Sequence, residues 1–367
     1  MTVSPAQSQV GILLELYKDM RSLPFKHHLH DCWLSIELAI SHVENEMRLH
    51  QWNIEHPNSE FPRDIAEAFC NPEWNFLKVC GHKKKVQLAY INCRFGKNFC
   101  DRRIGRFTFY AGCTMPTSRK QDPAYMFSPI AGYDGHFGMI AGVHSNVFLS
   151  NPDKYFVICF FSNLEGILLA HNHQKRTFDL VCNPWSRYLL YVQRDSPSHR
   201  YIPGVNVLTR QVRVHPFLYA DFACGFRLVL ETFEGEIGYG IWGHGDEKIE
   251  LIRDSTCPEE GKFGIAGRAP EDYGRAVTAS ASTIRYRAPY DRDALGNPIF
   301  IPITDNQLDL LSACSRSALN HKIFVSIGST SAQSLGYTYG IGAYIEIPQR
   351  NTSLRSWGVW TKGGFAF

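Results

Sequence analysis

Several common catalytic signatures are missing from this chain of 367 residues. It has no Gly-x-Ser-x-Gly elbow, no His-Glu-x-x-His zinc helix and no Gly-x-x-x-x-Gly-Lys-[Ser/Thr] phosphate loop, so the usual sequence grounds for an α/β-hydrolase, a zincin or a P-loop enzyme are missing. No two of its cysteines have Cys-x-x-Cys spacing, which argues against a zinc knuckle or a thioredoxin-like centre. Charge is sparse too: Asp, Glu, Lys and Arg make up 20% of the residues and the net charge is +3. So small a balance gives no clear pull toward nucleic acid. No uninterrupted apolar run reaches membrane-spanning length, which predicts no membrane partner. The opening segment MTVSPAQSQVGILLELYKDM has no basic stretch ahead of its apolar residues and is a poor secretory signal. These absences predict a cytoplasmic protein whose eleven cysteines are mostly buried, reduced thiols rather than a disulfide framework.

What is present is a globular composition, 44% hydrophobic and 13% aromatic. Two regimes of patterning divide it. Apolar residues at Val10, Leu13, Leu14, Leu16 and Tyr17 suggest a short helix. Trp33, Ile36, Leu38, Ile40, Val43 and Met47 suggest a longer one over residues 31–51, with Asp31 as its cap. A third short helix is expected over residues 62–69, with proline in its first turn. From residue 86 onward the segments VQLAYINCRF, RFTFYAG, KYFVICFFS, GILLAH, RYLLYVQ, FRLVLETF, GEIGYGIW, KIFVSIG and AYIEI read as strands. They are short, β-branched or aromatic, and punctuated by glycine, proline and asparagine. The expected division is a helical N-terminal region at 1–80 and a β-rich core domain at 81–367. The fold class is mainly β: a double-stranded β-helix, a distorted barrel or a β-sandwich.

The segment FEGEIGYGIWGHGDEKIELIRDS carries the sharpest chemical pattern. Residues two apart on an extended backbone project to one side, so His244 and Asp246 can share a coordination sphere. His321, at the start of a strand-like run, can supply a third ligand, and two imidazoles with one carboxylate suit Fe(II) with open positions. The same GHGDE stretch also reads as a hairpin turn with solvated side chains. HGDEKIELI and DNQLDLLSACSRSALNHKIFV resemble the iron-binding segments of non-haem iron, 2-oxoglutarate-dependent oxygenases, over residues 238–330 at most. That resemblance implies His244, Asp246 and His321 as metal and catalytic residues, Fe(II) and 2-oxoglutarate as cofactors, and a small organic substrate. Ser329-Thr330-Ser331 stands where that family commonly carries the arginine that holds the cosubstrate.

Other clusters compete. Asp134, His136 and His144 lie in a glycine-rich stretch, His171 and His173 sit at strand spacing, and His27, His28 and His30 crowd one short peptide. Lys83 to Lys85, Arg94, Lys97, Arg102, Arg103 and Arg106 interleave with aromatics, as the basic face of a strand pair or an anion-binding surface would. Trp357 and Trp360 either wall an apolar pocket or close the core. Two alternatives to an oxygenase follow: a metal-independent isomerase or cyclase with an aromatic-lined pocket, and a non-enzymatic β-sandwich that binds a ligand or self-assembles.

Overall fold

In the computed structural model, residues 2–20, 31–50, 64–101, 104–151, 155–194, 201–252, 260–265, 302–330 and 336–365 are described. Their dominant element is one curled antiparallel sheet. Its strands are β1 (Thr2–Asp19), β2 (Cys32–His50), β3 (Lys83–Asp101), β4 (Gly105–Met115), β5 (Gly138–Phe148), β6 (Phe156–Leu169), β7 (Tyr219–Leu230), β8 (Phe233–His244), β9 (Ala318–Thr330), β10 (Tyr337–Pro348) and β11 (Ser356–Phe365). Each strand pairs with the next in sequence, so the sheet is a continuous meander. The predicted β character is therefore found, in the form of a half-barrel wall.

The N-terminal helices are not found. The first two candidates, the short one and the longer one, lie in strands β1 and β2, which pair with each other from Thr2 opposite His50 to Asp19 opposite Trp33. The segment LSIELAIS explains the error. Leu34, Ile36, Leu38 and Ile40 alternate with Ser35, Glu37, Ala39 and Ser41, a period of two that three-and-four spacing from Trp33 to Met47 also fits. Pairing with β1 along one edge and β3 along the other decides between them, because together they give the segment's backbone groups ladder partners, with one irregularity between Ala39 and Ile40. A short helix, α1 (Ile65–Phe69), does form near the third expected position, and the Asp64 side chain caps it by accepting from the Glu67 N–H. The first two strands thus belong to the same sheet as the rest.

The connections alternate in length. Residues 20–31, 102–104, 149–155, 231–232 and 331–336 join strands at one end of the wall. Residues 51–82, 116–137, 170–218, 245–317 and 349–355 join them at the other. The long connections build a cap. It contains a three-stranded sheet of Asn172–Thr177, Thr209–His215 and Lys248–Leu251, and a second of Leu190–Gln193, Tyr201–Pro203 and Phe263–Ile265. Phe178, Tyr191, Leu208, Val212 and Val214 are fully buried between these elements. Such a core follows the ordinary rule of apolar residues inside.

The cysteine expectation needs a correction: Cys70 and Cys80 form a disulfide. Cys70 ends α1, and the Val79 N–H donates to the Phe69 carbonyl, which lays the two short segments side by side. Cys32, Cys93, Cys113, Cys159, Cys182, Cys224 and Cys314 are free. A disulfide is at home in an oxidising compartment.

Candidate functional site

The register of the wall assigns every side chain to one of two faces, since directly opposed residues point the same way and neighbours along a strand point oppositely. One face is apolar. On β7 it presents Phe222, Phe226, Leu228 and Leu230, on β9 Ile323, Val325 and Ile327, and on β10 Ile341, Ile345 and Ile347. Four of these ten are more than half exposed, including Ile323 at 59% and Val325 at 51%. From β4 through β11 this face carries no Asp, Glu, Lys or Arg; His321 is its one imidazole. Aromatic rings gather on it near the short connections: Phe99, Phe107, Phe156, Phe233, Tyr337 and Phe365.

The opposite face, on the inside of the curl, is polar. Ser35, Asn92, Asn320 and Ser326 are nearly inaccessible there. Ion pairs cross the strands. Arg94 bridges Glu37, at 2.5 Å, and Glu165, at 3.2 Å, while the Tyr110 hydroxyl donates to Glu165 at 2.9 Å. Arg227 lies 3.0 Å from Glu234 and also pairs with Glu236, which accepts from Ser326 at 3.1 Å. Lys322 stands 3.8 Å from Glu346, and Ser356 donates to that carboxylate at 3.0 Å. Two inner glycines are needed for close approach. A β-carbon at Gly96 would enter the Trp33 indole, and one at Gly342 the Trp360 indole. Rings laid over glycines of the next strand pin its register.

The structure does not bring His244, Asp246 and His321 together. His244 pairs with Ala318 and His321 with Ile241, so the two imidazoles sit an odd number of residues apart in register and leave opposite faces of the sheet. His244 points inward, its ring stacked on Tyr219 at 5.0 Å, with Nδ1 2.9 Å from the Gly245 carbonyl. His321 points outward, stacked on Tyr239, whose hydroxyl lies 2.5 Å from Nδ1. Asp246 is on the turn after β8 and accepts from the Ser317 N–H at 2.5 Å. No group of three His, Cys, Asp or Glu side chains able to hold a metal occurs among the described residues.

Asp134 and His136 do meet, in the cap. Gln174 Nε2 lies 2.9 Å from Asp134 Oδ2 and 3.2 Å from His136 Nε2, and His136 Nδ1 lies 2.7 Å from the Ala170 carbonyl. Burial pushes the Asp134 carboxyl up, against the Gln121 N–H that it accepts, and pushes the His136 imidazole down. This network ties residues 116–137 to the strand Asn172–Thr177. His144 is elsewhere, on the inner face of β5 beside Asn146. His171 stacks on His215, and the His173 carbonyl accepts from Lys120. His27, His28 and His30 lie outside the described residues, as do Arg102 and Arg103. Trp357 and Trp360 divide between the faces: Trp357 is outward and 78% exposed, Trp360 inward.

The inner ion pairs and the outer apolar face escaped the sequence reading, although alternation such as LSIELAIS and YIEI was the signal for both. No known family model matches this chain, and no curated protein matches it significantly.

Proposed function

We propose that this chain forms the wall of a membrane-spanning β-barrel, with lipid against the outer face and water or a polar solute against the inner one. The observation that carries this reading is the reversal of polarity across one continuous sheet: isoleucine, leucine and phenylalanine outside, paired arginine and glutamate inside. In water that arrangement exposes apolar area at about 25 cal/mol per Å² and gains nothing for it. In a bilayer it is what spanning strands require. β4, β5, β7, β8, β9 and β10 have 11 to 13 residues, enough to cross when tilted. The outward run from Tyr339 to Ile347 covers roughly 28 Å along β10, close to the band a tilted barrel strand places in hydrocarbon. Alternating short and long connections and an aromatic rim near the short ones fit the same plan.

Among the described residues no helix is long and apolar enough to cross a membrane. The expectation of no membrane partner rested on the lack of an apolar run, and alternating strands never make one. The iron-oxygenase reading draws no support from this wall, where the two imidazoles face different media. The test is refolding from urea into phosphatidylcholine vesicles. The wall reading expects sheet structure to form only with lipid or detergent, and the protein to float with the vesicles and resist carbonate extraction. A monodisperse folded chain in plain buffer that leaves vesicles untouched would overturn it.

A further inference from the structure

Two adjoining hollows open on the inner face beneath the cap. One, of about 230 Å³, is bounded by Glu165, Tyr219, Asp221 and Trp242. The other, of about 270 Å³, is bounded by Asp221, Trp242, Lys322 and Trp360. Asp221 and Trp242 are directly opposed on β7 and β8 and belong to both. The other charges are engaged: Glu165 holds Arg94 and Tyr110, and Lys322 lies near Glu346 with its ammonium 4.5 Å from the centre of the Tyr344 ring. Asp221 makes no hydrogen bond or ion pair with any described residue.

The chemistry of the walls narrows the occupant. An organic cation entering the second hollow meets Lys322, and an anion meets Asp221 with Glu165 and Glu346 behind it. An apolar ligand would strip water from both signs of charge without replacing its hydrogen bonds. A neutral polyhydroxylated ring satisfies all the walls at once. Its hydroxyls donate to Asp221 and accept from Lys322, and its C–H face lies on an indole. Two hollows that share one carboxylate and one indole suit two linked rings.

We infer that the inner face binds a neutral oligosaccharide, with Asp221 and Trp242 gripping it between the two hollows and Lys322 and Trp360 completing the second. This rests on the wall reading only in taking the inner face as the aqueous one. The test uses the full chain folded in vesicles or micelles, titrated calorimetrically with maltohexaose, cellohexaose and chitohexaose. Saturable binding of at least one is expected, with a shift in tryptophan emission. Asp221→Asn should weaken it about tenfold, since a hydrogen bond to a charged group becomes one to a neutral group. Trp242→Ala should weaken it further and Trp242→Phe less, with far-UV circular dichroism unchanged, while the outward Trp357→Phe leaves it intact. If the protein inserts into vesicles but binds none of the three sugars, the saccharide inference falls and the wall stands. Choline or benzoate binding in their place, with the same dependence on Asp221, overturns the ligand class. Sugar binding by a chain that never inserts would keep the site and remove the wall.

Discussion

The cap and the wall obey opposite rules within one chain. In the cap, Phe178, Tyr191, Leu208, Val212 and Val214 have no exposed surface, as in any water-soluble core. In the wall, Asn92 is 1% exposed while Ile327 is 52% exposed. Both regions are β-structure drawn from the same residue types, so secondary structure does not separate them. The difference lies in what each face must meet. Cap strands bury one another's apolar sides against water. Wall strands satisfy their polar side chains across the inside of the curl and leave their apolar sides uncovered, the sides that the proposed function sets against lipid.

The largest expected effect tests the conventional half of this contrast. Phe178→Ala should cost the cap about 3–5 kcal/mol, read by chemical denaturation, because it empties a fully buried site. A loss below about 1 kcal/mol would mean the cap is not close-packed. Next comes a charge on the outer face: Ile341→Arg should destabilise the vesicle-folded protein by about 2–4 kcal/mol. On a water-facing surface the same change would stay within about 0.5 kcal/mol, so urea titration in vesicles separates the two cases. Gly342→Ala should cost about 1–3 kcal/mol, since the new methyl displaces the Trp360 ring that covers the inner face of β10. An unchanged midpoint there would show that the ring has room to move.

The smallest effect is a pH dependence confined to the cap. Burial lowers the His136 pKa below its ordinary value of 6.5, so the unfolded chain binds the proton more readily. Its stability is present above that value and is lost as pH falls through it toward the lower folded pKa. Asp134 has the opposite shift: its folded pKa is raised above 3.8, so stability present below that value is lost as pH rises through the folded pKa. Moving from about pH 7.5 to about pH 5.5 should therefore loosen the cap through His136. His136→Gln should flatten that limb, and hydrogen exchange at residues 116–137 should report it while the wall amides stay protected.

Much of the β-structure was legible. The segments VQLAYINCRF, RFTFYAG and KIFVSIG fall within β3, β4 and β9, as their β-branched and aromatic content requires. β1 and β2 were not, because LSIELAIS satisfies two periods and only its cross-strand partners choose between them. The His244, Asp246 and His321 pattern was legible as residue types. Its geometry was not, because the face on which His321 stands is fixed by its register with Ile241 on β8, a pairing distant in sequence.

The sequence by itself determined the period-two patterning after residue 86, the cap's apolar inventory and the scarcity of charge. Only the tertiary structure decided which half of each alternation faces inward. A strand offers its two faces symmetrically, and alternation alone does not say which side meets water. Curl and pairing break that symmetry, enclosing Arg94, Glu37 and Glu165 together and turning Ile323, Val325 and Ile327 outward.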